Sequence, residues 1–202
     1  MAKPTVATKE KILTVAIEMV KEFGLSSLSA RSLADKLNCS TQPIYNIFQN
    51  MDELKVAVLD QLAVFMMNQI TEYQKTKCAF LDSGLGYIHF AKTENKLFHL
   101  FCLDKEVFGL ISTNEMSHPD IGDEIIRALM EEELDNVPVS PQSKDKIFQQ
   151  IMIFTYGLAV LEYLDRNEMD DEETAELLQK TFEDYVNREL EGVDYEYSCN
   201  WR

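Results

Sequence analysis

The chain has 202 residues, 46% of them hydrophobic and 27% charged, and carries a formal net charge of −16. These values fit a globular protein of one large or two small domains with a sizeable core, and the charge excludes a generic nucleic-acid binder held by net attraction. The longest apolar run, IMIFTYGLAVL at 151–161, falls well short of the roughly 18 residues a membrane span needs.

The pattern predicts helices throughout. The first covers Thr8 to Phe23, with Ile12, Leu13, Ala16, Val20 and Phe23 at helical spacing on one apolar face and Gly24 as its C-terminal stop. Ser29 caps a short helix, Ala30 to Leu37, whose apolar residues are Leu33, Ala34 and Leu37. Asn38, tolerant of the left-handed region, ends it. Ser40 is the expected cap of a third helix, Thr41 to Phe48, with Pro43 in the first turn, where a missing N–H costs little. Asn50 caps a fourth helix from Met51 towards Lys77, with Glu53 placed as in a capping box. Further helices fit Ala79 to Thr93, Lys96 to Leu103, Ile121 to Leu134, Ser143 to Arg166 and Asp171 to Leu190. Loops are expected at Ser112 to Asp120 and Asn136 to Gln142. No strand of convincing alternation, internal repeat or low-complexity segment is present, so the expected fold is all-α with about nine helices.

Residues 29–48 give cap, short helix, tight turn, cap and second short helix, which is the sequence form of a helix-turn-helix. Ile44 and Phe48, four apart, turn inward and leave Thr41, Gln42, Tyr45, Asn46 and Gln49 on the outer face. Glutamine can bond adenine N6 and N7 together, and a threonine methyl or proline ring can touch a thymine methyl. Hydroxyls of Ser, Thr and Tyr can donate to phosphates.

The segment LSARSLADKLNCSTQPIYNIFQNMDELKVAV resembles the N-terminal domain of TetR/AcrR-family transcriptional regulators. The resemblance covers roughly residues 8–59 and runs through Phe23-Gly24, Leu33-Ala34, Leu37, Tyr45, Phe48 and Leu54. It implies an N-terminal three-helix helix-turn-helix domain, residues 1–50, followed by a larger helical effector-binding and dimerisation domain, residues 51–202. The implied function is a dimeric repressor that binds a palindromic double-stranded operator and is released by a small-molecule effector. By position, the resemblance puts Arg31, Thr41, Gln42, Pro43 and Asn46 at bases and Ser29, Tyr45, Asn50 and Lys55 at phosphates. It also implies a homodimer paired through the last two helices. Three positions depart from the family's pattern. Asn38 stands where Gly is usual, Ile47 where His or Tyr is frequent, and Met51 where a Lys normally grips a phosphate.

The aromatic-rich stretch Phe98 to Phe108 and its companions are mostly core. Tyr87, Phe98, Phe101, Cys102 and Tyr156 are candidates to line an effector pocket, and Met66, Met67, Met116, Met130 and Met152 would give it an adaptable lining. His99 and Cys102 share a helix face but have no second ligand pair, so no metal and no cofactor is expected. No phosphate loop or nucleophile motif is present, and an enzyme is not expected. The acidic run Asp165 to Thr174 reads as a solvated loop and helix start. Residues 1–11 show no apolar core with a cleavage site, and Cys39, Cys78, Cys102 and Cys199 show no paired spacing. The expectation is a cytoplasmic protein with reduced thiols and no membrane partner.

Charge is uneven. Residues 1–50 hold six Lys/Arg and four acids, a net of +2, and residues 51–202 hold thirteen and thirty-one, a net of −18. The uncharged third helix and Met51 leave a second reading open: a helical adaptor or co-regulator that keeps the fold with weak or no DNA binding.

Overall fold

The computed structural model describes residues 8–105, 107, 110 and 121–198. The loop expected at Ser112 to Asp120, with Met116, lies outside them, as do Lys3 and Cys199. Among the described residues the elements are helical and no strand occurs. Nine α-helices have defined bounds: α1 Lys9–Phe23, α2 Ala30–Leu37, α3 Gln42–Tyr45, α4 Met51–Thr71, α5 Ala79–Thr93, α6 Asn95–Cys102, α7 Ile121–Glu133, α8 Pro141–Tyr163 and α9 Asp171–Glu189. None is long and apolar enough to cross a membrane. The described residues fall into two compact units, Met1–Phe65 with Lys96–Pro119 and Met66–Asn95 with Asp120–Arg202.

The core of the first unit is the expected one with one exchange. Ile12, Leu13, Ala16 and Val20 are buried, but Phe23 is 55% exposed and Met19 takes the inward position. Phe23 is the last residue of α1, directly before Gly24 at φ 81°, so the chain leaves the helix there. The Lys36 ammonium lies 5.7 Å from its ring, a cation–π contact in place of burial. A short 3₁₀ turn, Leu25–Ser27, follows, and its Leu25 is buried. Lys96 at the start of α6 donates to the Glu22 carbonyl at 2.9 Å, tying α6 to the end of α1.

In the second unit, α5 packs on α8, and α9 packs on both. The fourth helix ends at Thr71, earlier than the expected Lys77. Its continuation is undone by Asp82, a buried carboxylate on α5 that accepts from the N–H groups of Lys75 and Thr76 at 3.1 and 2.8 Å. Charge-assisted bonds to a loop backbone outweigh the further turns of helix in such a place.

Helix α8 begins before the expected Ser143. Ser140 accepts from the Ser143 N–H at 3.1 Å, and Pro141 stands at the start, where it has no hydrogen bond to lose. The proline that reads as loop punctuation is therefore the first residue of the helix. Asp170 and Glu173 form the capping box of α9, so the acidic run is a solvated helix start.

At Gly86, α5 lies close against the end of α4. A Cβ there would strike the Ile70 carbonyl oxygen and sit 2.9 Å from Tyr73 Cβ. A backbone carbonyl cannot yield as a flexible side chain does, so Gly86→Ala is expected to destabilise the protein by about 1–3 kcal/mol despite alanine's better helix propensity. Thermal unfolding of the variant checks this, and an unchanged or raised Tm contradicts it.

Candidate nucleic-acid interface

Helix α2 is capped by a reciprocal pair. Ser29 Oγ accepts from the Ser32 N–H at 3.1 Å, and Ser32 Oγ accepts from the Ser29 N–H at 3.0 Å. Ser32 Oγ also donates to the Ser27 carbonyl at 2.8 Å, fixing the chain that enters the helix. Leu33, Ala34 and Leu37 are buried, while Arg31 is exposed.

The turn that follows rests on Asn38, which takes the left-handed conformation at φ 52°, ψ 48°. That places the Cys39 N–H 3.0 Å from the Ala34 carbonyl and closes the end of α2. The side-chain amide makes Asn the non-glycine residue best suited to this region.

The third helix is shorter than expected and differently capped. It spans Gln42–Tyr45, not Thr41 to Phe48, and its N-cap is Thr41, not Ser40. Thr41 makes no side-chain cap bond. A cap side chain normally serves the second or third helical N–H. Here the second residue is Pro43, without an N–H, and the Ile44 N–H already bonds the Thr41 carbonyl at 3.1 Å. At the other end Asn46 and Ile47 continue as a turn, with the Phe48 N–H on the Ile44 carbonyl at 2.9 Å.

The start of α4 is capped close behind this turn. Asn50 Oδ1 accepts from the Glu53 N–H at 2.8 Å, as expected of a cap. The Glu53 carboxylate, however, reaches past Asn50 to the Gln49 N–H at 2.6 Å. This bond holds residue 49 at the entry of α4.

Ile44 and Phe48 are buried to 1% exposure each, so the inner face forms as expected. Gln42, Tyr45, Asn46 and Gln49 are exposed, with Tyr45 at 47%, and Thr41 and Pro43 are half-buried. One polar face therefore carries Gln42, Tyr45, Asn46 and Gln49. Gln42 Nε2 donates to Asn46 Oδ1 at 3.0 Å along it. Asn50 is exposed and Lys55 half-buried. Lys9 stands 5.7 Å from the Phe48 ring centre, which brings one cation of α1 next to the buried anchor of this face.

The aromatic candidates for an effector site are spread over both units. Phe98 and Phe101 are buried and Cys102 is half-buried in the first. Tyr87 and Tyr156 belong to the second, where their rings lie 6.2 Å apart. The second unit also has a polar cleft that the sequence pattern does not reveal, lined by Tyr73, Leu85, Ile88, His89, Lys92, Glu162, Asn167, Asp171 and Thr174. Its Lys92 bonds Glu162 at 2.8 Å and lies 3.8 Å from Asp171. The Glu162 hydrogen bond raises the Lys92 pKa. Burial, with the Asp171 and Asp82 charges, raises that of Tyr73. Both shifts move away from neutrality, so near pH 7 the amine stays charged and the phenol neutral. No periodicity could reveal the cleft, because its residues come from α5, the loop after α4, the end of α8 with the loop that follows it, and the start of α9.

Similarity to known proteins is one of shape. Neither a family profile nor a curated protein matches the sequence. Among solved structures the chain is similar to a TetR-family protein from Vibrio parahaemolyticus, with TM-score 0.61 and 15% identity, over 86% of this chain and 96% of that one. A TetR-like transcriptional regulator from Rhodococcus sp. RHA1 matches with TM-score 0.56 and 16% identity, over 94% and 99% of the two chains. The multidrug-binding protein EbrR, solved with ethidium, matches with TM-score 0.55 and 16% identity, over 86% and 96%. The chain has the fold of the TetR-family regulators.

Proposed function

We propose that this chain is a TetR-family transcriptional regulator, most simply a dimeric repressor released from its operator by a small-molecule effector. The observation that carries the reading is the outer face of α3. Two amides, a tyrosine, a threonine and a proline stand together on a short helix held by a left-handed turn and two buried anchors. That is the chemistry of base-edge and phosphate contact in a major groove. A purely structural helix pair has no need of it.

In this reading residues 1–50 form the head and 51–202 the effector-binding and dimerisation body. Arg31, Thr41, Gln42, Pro43 and Asn46 face bases. Ser29, Tyr45, Asn50 and Lys55 face phosphates. Asn50 can serve while capping α4, because the cap uses its Oδ1 and leaves the Nδ2 donors. The start of α4 is a poor substitute for the lysine that Met51 replaces, since Asp52 and Glu53 occupy its first turn.

The homodimer through the last two helices is supported by α8, which has two apolar faces. One is buried, through Ile147, Ile151 and Leu158. The other exposes Ile153, Tyr156, Leu161 and Leu164 at 67%, 38%, 41% and 50%. An apolar stripe of that kind marks an interaction surface, and a C2 pairing buries it against its own copy. EbrR, solved with ethidium, supports a small-molecule effector; the candidates are Phe98, Phe101 and Cys102 in the first unit or Tyr87 and Tyr156 in the second. A soluble cytoplasmic regulator without enzymatic activity fits the whole. The adaptor reading, in which the neutral helix no longer holds DNA, is the alternative.

Two measurements test the proposal. Gln42→Ala and Tyr45→Ala should each weaken binding to DNA selected by the wild-type protein by about 1–3 kcal/mol. Unchanged affinity in both refutes the assigned face, and a wild-type protein that selects no DNA at low salt favours the adaptor. Ile153→Glu should shift the protein from dimer to monomer in sedimentation without unfolding it, and a variant that stays dimeric removes α8 from the interface.

A further inference from the structure

Gln42 and Asn46 stand one helical turn apart, both exposed, and Gln42 Nε2 donates to Asn46 Oδ1 at 3.0 Å. A carboxamide has two N–H donors and an oxygen with two lone pairs. The bond uses one Gln42 N–H and one Asn46 lone pair. It also couples the two amides, because turning over Asn46 alone would set donor against donor. Gln42 keeps its Oε1 and its second Nε2 hydrogen, an acceptor and a donor on one planar group.

Only one base matches that pair in the major groove. Adenine offers the N6 donor beside the N7 acceptor. Guanine offers two acceptors, which would leave Oε1 facing an acceptor; cytosine offers a donor alone and thymine an acceptor and a methyl. A solitary surface glutamine loses rotamer freedom when it binds. Asn46 removes part of that loss by holding the amide beforehand.

Resting on the DNA-binding reading above, we propose that Gln42 reads one adenine in each half-site through Oε1 and Nε2, and that Asn46 is a positioning residue which orients the Gln42 amide instead of reading a base itself. Asn46 thus departs from the base-facing role that its position in the helix suggests.

The test uses the full chain as wild type, Gln42→Ala, Asn46→Ala, Asn46→Asp and the double alanine variant. Each is used to select duplexes from a random pool, and the wild-type optimum is then assayed with single base-pair changes. The wild type should prefer adenine at one position per half-site by roughly 5- to 150-fold. Gln42→Ala should abolish that preference and keep the others. Asn46→Ala should lower the same preference several-fold and add nothing in the double variant. Asn46→Asp keeps the accepting oxygen, so it should restore the preference while weakening binding overall through its negative charge. The proposal is overturned if Asn46→Ala changes selectivity at a different base pair, if it leaves the Gln42-dependent preference intact, or if the base lost in Gln42→Ala is not adenine. Selection of no duplex by the wild type overturns the DNA-binding reading, and this one with it; selection without a Gln42-dependent adenine overturns this one alone.

Discussion

Asn38 holds a left-handed backbone conformation at φ 52°, ψ 48°, and the polar face of α3 depends on it. The conformation closes α2 through the Cys39 N–H and turns the chain so that Ile44 and Phe48 can reach the core. Burying those two side chains, at about 1.5–3 kcal/mol each by transfer, fixes the rotation of α3 about its axis. With the rotation fixed, Gln42, Tyr45, Asn46 and Gln49 point outward as a consequence of helical spacing. A residue at 38 that resists the left-handed region would disturb the turn, the anchors and the face together.

The same geometry answers the problem posed by charge. A chain of net −16 cannot approach a polyanion by bulk attraction. Its acids are concentrated outside residues 1–50, and the face that would meet DNA is neutral. In the proposed function, hydroxyls and amides supply the contact, and a few cations around α1 and α2 supply attraction.

Helix content and the main core residues are legible in the sequence because they rest on local periodicity. Spacing alone places Ile12, Leu33, Leu37, Ile44 and Phe48 inward. Helix ends are legible where the signal is chemical, as at Ser29 and Asn38. They mislead where a distant or unusual partner decides. Asp82 ends α4 from another helix, Glu53 reaches Gln49 instead of Asn50, and Pro43 removes the N–H a serine cap would have served. Phe23 fits the apolar period yet stays exposed, because periodicity takes no account of where the chain leaves the helix. The polar face at 41–49 follows from spacing, but the Gln42–Asn46 bond does not, since spacing permits such a pair without requiring it. The cleft around Lys92 has no local signature because several elements build it.

In the proposed function a neutral helix reads DNA while few phosphates are neutralised. This is tested most directly by the salt dependence of binding to a duplex the protein itself has selected. If about two phosphates per head are met by Lys or Arg, the slope of log K against log salt should be about −4 or shallower for a dimer. A slope near −10, of the size seen for a strongly electrostatic repressor, would contradict the account and place the contact surface elsewhere.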